Sequence, residues 1–149
     1  MLSNLKLCLI SLINRKIKNA TPTTYKGVKY RSKLEVSFAK FFEKERIKAE
    51  YEPFKVTLLP SFRYNGEAIR AITYTPDFII DYCGRKFIIE VKGFSNDAYK
   101  IKKKLILKYL LDNHSIYTFY EVKTLTALRK ILQEIKEVET WKKENHLKI

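Results

Sequence analysis

The chain reads as an α/β protein. A mixed central β-sheet is flanked by helices, and the elements run in the order α-β-β-β-α-β-α after an N-terminal piece. Three observations predict this. Between Tyr74 and Gly93, "YTPDFIIDYCGRKFIIEVKG" holds two apolar runs around a short turn. Other stretches space apolar residues three and four apart, the pattern of amphipathic helices. No linker or internal repeat divides the 149 residues, so one core is expected, built as a sheet with helices on its faces.

The first 33 residues contain no acid: "LKLCLISLI" is followed by Arg15, Lys16 and Lys18. Such a segment suits an organelle presequence, a helix docking on a partner subunit, or a basic arm on DNA. Docking helix plus arm is the reading adopted for residues 1–24, with the domain proper at 25–149. "TPTT" marks a loop. In "SKLEVSFAKFFEK", Leu34, Phe38, Phe41 and Phe42 form a helical stripe, and Ser32 with Glu35 has capping-box spacing. "EYEPFKVTLLPSF" is a strand limited by Pro53 and Pro60 to an edge or to short pieces, and Asn65–Gly66 is a turn signal. "AIRAITYTPDFII" and "GRKFIIEVKG" are the next strands. "NDAYKIKKKLILKYLLDN" is a helix with Ile101, Leu105 and Tyr109 toward the core. "SIYTFYEV" is the last strand, and "TLTALRKILQEIKEV" the last helix, with Leu125, Leu128, Leu132 and Ile135 on one face.

Charge narrows the partners. Thirty Lys and Arg stand against 16 Asp and Glu, a net of +14. Such a surplus attracts polyanions, nucleic acid foremost and an anionic membrane second. No apolar run approaches the ~20 residues of a membrane span. Cys8 and Cys83 stand far apart, which gives neither zinc spacing nor a disulfide framework and points to an intracellular location.

The apolar hairpin poses a chemical question, because its strands carry Asp77, Glu90 and Lys92. A buried unpaired ion costs several kcal/mol. Alternation puts Glu90 and Lys92 on one face. An even-length turn, Cys83–Gly84 alone or Tyr82 to Arg85, sets Asp77 opposite Glu90; a three-residue turn sets it against Ile89. The even register explains both acids together. Two facing carboxylates share a proton or hold a hard cation, and an oxygen-rich, sulfur-free site fits Mg²⁺. Lys92 beside it would orient the attacking water and offset charge developing on a phosphate. Metal-assisted hydrolysis of a phosphodiester is the chemistry implied. Taken singly, each charge reads as a strand-edge or solvated residue, but apolar neighbours flank all of them.

Pro76–Asp77 followed by Glu90–Val91–Lys92 resembles the signature of the PD-(D/E)xK nuclease superfamily. "SKLE … YTPDF … EVKG" is similar to small phage endonucleases, including the endonuclease I type that resolves branched DNA. Closer still are phage-encoded nuclease-like proteins that share the opening Gly27, Tyr30, Ser32, Lys33, Leu34, Glu35 and a Lys-rich helix after "KG". The similarity covers about Tyr25 to Tyr120; the longer Phe62–Ile72 stretch departs from compact members. The resemblance implies a restriction-endonuclease-like fold and a metal-dependent endonuclease, resolvase-like toward Holliday junctions and other branched DNA. If the gene is a phage's, the location is a bacterial host's cytoplasm. It implies catalytic roles for Glu35, Asp77, Glu90 and Lys92, with Mg²⁺ (Mn²⁺ substituting) held by Asp77, Glu90, the Val91 carbonyl and Glu35. A resolvase needs two sites and hence a homodimer. The alternatives are a non-catalytic DNA-binding module of the same fold, and a transposon-end or restriction-type nuclease needing a partner.

Lys100, Lys104 and Lys108 recur every fourth residue, and Lys102 and Lys103 widen the stripe. Beside a metal site, such a stripe suits DNA phosphates. Arg31 and Lys33, with Tyr25 and Tyr30, form a second candidate DNA contact.

Overall fold

The computed structural model describes residues 21–93 and 95–145. The segment 1–20, which holds most of the expected docking helix and arm, lies outside the described residues. The chain divides into two compact units, Met1–Lys33 and Leu34–Ile149. In the first, β1 (Thr23–Tyr25) and β2 (Val28–Tyr30) form an antiparallel hairpin. Its turn residues Lys26 and Gly27 both have positive φ, 48° and 79°, as a two-residue type I′ turn requires.

The second unit is mixed α/β. Helix α1 (Lys33–Lys44) leads into β3 (Lys48–Tyr51), β4 (Val56–Leu59), β5 (Phe62–Tyr64), β6 (Glu67–Ile69), β7 (Ile72–Tyr74), β8 (Phe78–Tyr82) and β9 (Arg85–Val91). Then come α2 (Asp97–Asp112), β10 (Tyr117–Val122) and α3 (Leu125–Glu144). The sequence pattern predicts three strands between the first two helices, whereas seven short ones form. Pro53, Pro60, Asn65–Gly66 and Pro76 cut the β-rich runs wherever a backbone donor is missing or the chain must reverse.

Four strands make the main sheet, in the order β10-β9-β8-β3. β3–β8 and β8–β9 are antiparallel, and β9–β10 is parallel, so the sheet is mixed as expected. The central strands β8 and β9 are apolar on both faces, which means both faces must be covered. On one face Phe78 meets Phe42 of α1, ring centroids 5.3 Å apart, and Arg129 of α3 lies 5.2 Å over the ring of Phe41. On the other face Ile79 and Ile88 cluster with Tyr74 and with Ile106 of α2. A ribbon formed by β4 and β7 also packs on this face through Val56 and Leu58. Hairpin β5–β6 extends that ribbon and, among the described residues, pairs only with itself.

Phe38, Phe42, Phe78, Phe87 and Leu128 are fully buried, each adding roughly 1.5–3 kcal/mol of transfer free energy. Leu128, Leu132 and Ile135 face inward as the periodicity predicts. Helix α2 departs from expectation: Ile101 is 60% exposed, and Tyr99 and Ile106 are the buried residues. The helix is rotated because Tyr99 and Lys103 both bond to Glu121 of β10. A polar anchor of that kind leaves no trace in hydrophobic spacing.

Candidate active site

The turn that builds the site is Cys83–Gly84, with φ of 53° and 73°. These are again type I′ values, and the loop is even. Phe78 therefore pairs with Ile89 and Ile80 with Phe87. One step further along the ladder, Asp77 comes opposite Glu90, the register that the two charges predict. Alternation then places Asp77, Glu90 and Lys92 on the face of Ile79 and Ile88, toward α2. Glu121 of β10 is in register with Glu90. Three carboxylates thus stand in a row across β8, β9 and β10.

Each acid is held by specific donors. Asp77, 4% exposed, accepts the Val91 N–H at its Oδ2 over 2.8 Å. Glu90, equally buried, accepts the Tyr74 hydroxyl at Oε2 (2.7 Å) and the Lys92 ammonium at Oε1 (3.2 Å). Glu121 Oε2 accepts the Tyr99 hydroxyl at 3.0 Å and the Lys103 ammonium at 2.8 Å. The Lys92 ammonium also lies 4.0 Å above the Tyr99 ring, within cation–π range. Among the described residues no buried side-chain nitrogen or oxygen lacks a partner. This answers the burial cost: phenols, an ammonium and a backbone amide replace water around the acids.

The electrostatics follow from this packing. Burial pushes the Tyr74 phenol far above its usual pKa, and the charges of Glu90 and Asp77 push it the same way. Burial and then Glu90 raise Tyr99 as well. Both phenols keep their protons and act as fixed donors. The Lys103 hydrogen bond holds the Glu121 carboxyl below its ordinary range; burial opposes this, and Tyr99 assists it.

The other expected residues are placed as follows. Glu35, 7% exposed in the first turn of α1, accepts the Tyr51 hydroxyl at 2.6 Å. Tyr51 is the register partner of Phe78 and packs on its ring. Among the described residues, no three His, Cys, Asp or Glu side chains gather as a metal-holding group. The pair Asp77 and Glu90 nevertheless has the chemistry Mg²⁺ favours: oxygen donors only, from one or two carboxylates, with waters completing the shell. A carboxylate oxygen has two lone-pair positions, so one that accepts a hydrogen bond can in principle also meet a cation.

The lysine stripe is less free than the sequence suggests. Lys103 serves Glu121, Lys100 pairs with Asp97 at 2.9 Å, and Lys108 pairs with Asp112. Lys102 and Lys104 show no ion pair among the described residues. Lys102 lines a cleft of about 410 Å³ with Ala71, Ile72 and Thr73 of the ribbon and Ala98, Ile101 and Leu105 of α2. Two of its lining residues, Thr73 and Ala98, directly precede Tyr74 and Tyr99 in the chain. Arg31 and Lys33 belong to the N-terminal unit, and both are exposed.

Sequence reasoning missed Tyr74, Tyr99 and Glu121. One signal was available. β9 and β10 both end in Glu-Val, and pairing the two strands in parallel aligns Glu90–Val91 with Glu121–Val122.

A family model described as "Protein of unknown function (DUF1064)" matches residues 15–131. The chain belongs to this family. The part of this DUF1064 protein that matches contains every residue of the acid row and its donors, and ends within α3. No curated protein and no solved structure matches the chain.

Proposed function

We propose that this protein is a Mg²⁺-dependent DNA endonuclease that cuts branched or otherwise structured DNA. One observation carries the reading. The β8–β9 register puts Asp77 and Glu90 on one face of the sheet, with the Lys92 ammonium 3.2 Å from Glu90. Two acids and a lysine on adjoining strand ends fit the PD-(D/E)xK pattern, and a restriction-endonuclease-like core is the fold reading that goes with it. In this reading Asp77 and Glu90 would hold the metal, the Val91 carbonyl would add a ligand, and Glu35 would complete the shell directly or through water. Mg²⁺ bound there supplies a Lewis acid for the phosphate and lowers the pKa of a water. Lys92, braced by Glu90 and the Tyr99 ring, orients that water and offsets charge developing on phosphate oxygens. Tyr74 fixes the Glu90 carboxylate. The net charge of +14 supplies the general attraction to DNA.

A second reading is a DNA-binding module without catalysis. It is favoured by the lack, among the described residues, of a three-ligand metal group. The two readings separate on a panel of linear, nicked, flapped and four-way DNA with Mg²⁺ or Mn²⁺. Cleavage that vanishes in EDTA and in Asp77→Ala supports the enzyme. Binding with no cutting of any substrate under any metal condition supports the module. A resolvase also works as a pair, so light scattering should give a dimer; a strict monomer at micromolar concentration counts against the resolvase form. No helix among the described residues is long and apolar enough to cross a membrane.

A further inference from the structure

Hairpin β5–β6 reverses the usual placement of aromatics. Phe62 is 48% exposed and Tyr64 66%. Alternation and pairing (Phe62 with Ile69, Tyr64 with Glu67) put both rings on one face with Ile69 and Glu67. Arg63 lies on the other face, its guanidinium 3.3 Å from the Gly66 carbonyl, and exposed Arg70 follows β6 directly. Asn65 and Gly66 have φ of 48° and 82°, a tight type I′ tip that fixes the two faces. A lone two-stranded hairpin is marginally stable, and burying these rings against the body of the protein would have strengthened it. The rings instead face outward.

The position of the hairpin is equally specific. It is the tip of the β4–β7 ribbon, and β7 ends at Tyr74, whose hydroxyl bonds to Glu90. Seven residues lie between Gly66 and Tyr74. The eight steps, at about 3.3 Å each, span at most about 26 Å from the tip to Tyr74, roughly seven or eight base steps.

We infer that this hairpin is a DNA-reading element that stacks Phe62 and Tyr64 on unpaired bases beside a duplex, with Arg63 and Arg70 toward the phosphates. The occupant follows from the chemistry. Aromatic faces accept any exposed base by stacking, and two arginines against the single acid Glu67 favour a polyanion. A matched duplex offers no free base face, so the hairpin selects DNA that has one. The inference rests on the DNA reading above and names the feature of the substrate that is recognised.

The test uses the full chain in EDTA, so that cutting plays no part. Binding is measured by anisotropy to a matched duplex and to the same duplex with a short single-stranded gap containing 2-aminopurine. The wild type should prefer the gapped DNA and quench the 2-aminopurine. Phe62→Ala with Tyr64→Ala should lose about tenfold or more on the gapped DNA and less than about twofold on the duplex. Tyr64→Phe should keep the preference. Arg63→Ala with Arg70→Ala should weaken both DNAs and flatten the salt dependence. The inference is overturned if the wild type binds neither DNA or shows no preference, or if the alanine pair weakens both DNAs equally. It is also overturned if sedimentation shows that the alanine pair abolishes a dimer and leaves the preference intact. Preference without any cutting in Mg²⁺ would sink the nuclease reading alone; cutting without preference would sink the hairpin alone.

Discussion

The acid row and the β5–β6 hairpin lie at two ends of one ribbon and invert each other's chemistry. In the row, Asp77 and Glu90 are 4% exposed; in the hairpin, Phe62 and Tyr64 are 48% and 66% exposed. Stability alone would favour the opposite, with charges in water and rings in the core. The acids are tolerated because Tyr74, Lys92, Tyr99, Lys103 and the Val91 amide meet them. The rings are tolerated because the hairpin makes no demand on the core. Departures from the simplest folding logic concentrate where a protein acts. Here they suggest a division between a buried site that holds charge in place and an exposed element that makes contact.

The largest expected effect breaks the buried end. Asp77→Ala and Lys92→Ala should each reduce Mg²⁺-dependent cleavage by about a thousandfold or more, with DNA affinity in EDTA changed by less than about threefold. Loss of affinity in parallel with cutting would mean that the row binds DNA without doing chemistry. Next, Tyr99→Leu should lower kcat by roughly ten- to a hundredfold at nearly constant KM, because Lys92 loses the ring beneath it. Tyr99→Phe should recover most of the rate, since it keeps the ring. Equal loss in both variants would assign the effect to the Glu121 bond instead.

Smaller effects sharpen the contrast between free and engaged lysines. Lys104→Ala should weaken DNA binding and reduce the salt slope by about 1, whereas Lys100→Ala, already paired with Asp97, should change it less. The smallest effect is in stability. The folded-state pKa of Glu121 is lowered, chiefly by Lys103, so its contribution is present above the ordinary carboxylate pKa of about 4.3 and is lost as pH falls through the lowered value. Denaturant melts should therefore show Glu121→Gln destabilised at neutral pH, with the gap to wild type closing in acid. A gap constant with pH would remove the ion pair from the account.

The turn alone left the hairpin register open; the even register was chosen because only it sets Asp77 and Glu90 on one face, and a one-residue slip would have separated them. The faces of α1 and α3 were legible because bulky apolar residues set them. The face of α2 was not, because two polar bonds to Glu121 turn Ile101 outward. Tyr74 was invisible as a ligand because its role depends on the β4–β7 ribbon crossing the sheet, a contact between segments with no shared sequence mark. The bond from the Tyr51 hydroxyl to Glu35 was not legible either, because it joins two separate elements.

By itself the sequence determined what is local: the Asn65–Gly66 turn, the helices from apolar spacing, and, through the two acids that need a common face, the even β8–β9 register. Only the tertiary structure decided which groups stabilise those acids, which lysines are already engaged and which aromatics stay outside. The physical reason is range. Turn and strand geometry is fixed by neighbours along the chain, whereas the partner of a buried charge is whatever donor the packing of distant elements delivers within about 3 Å.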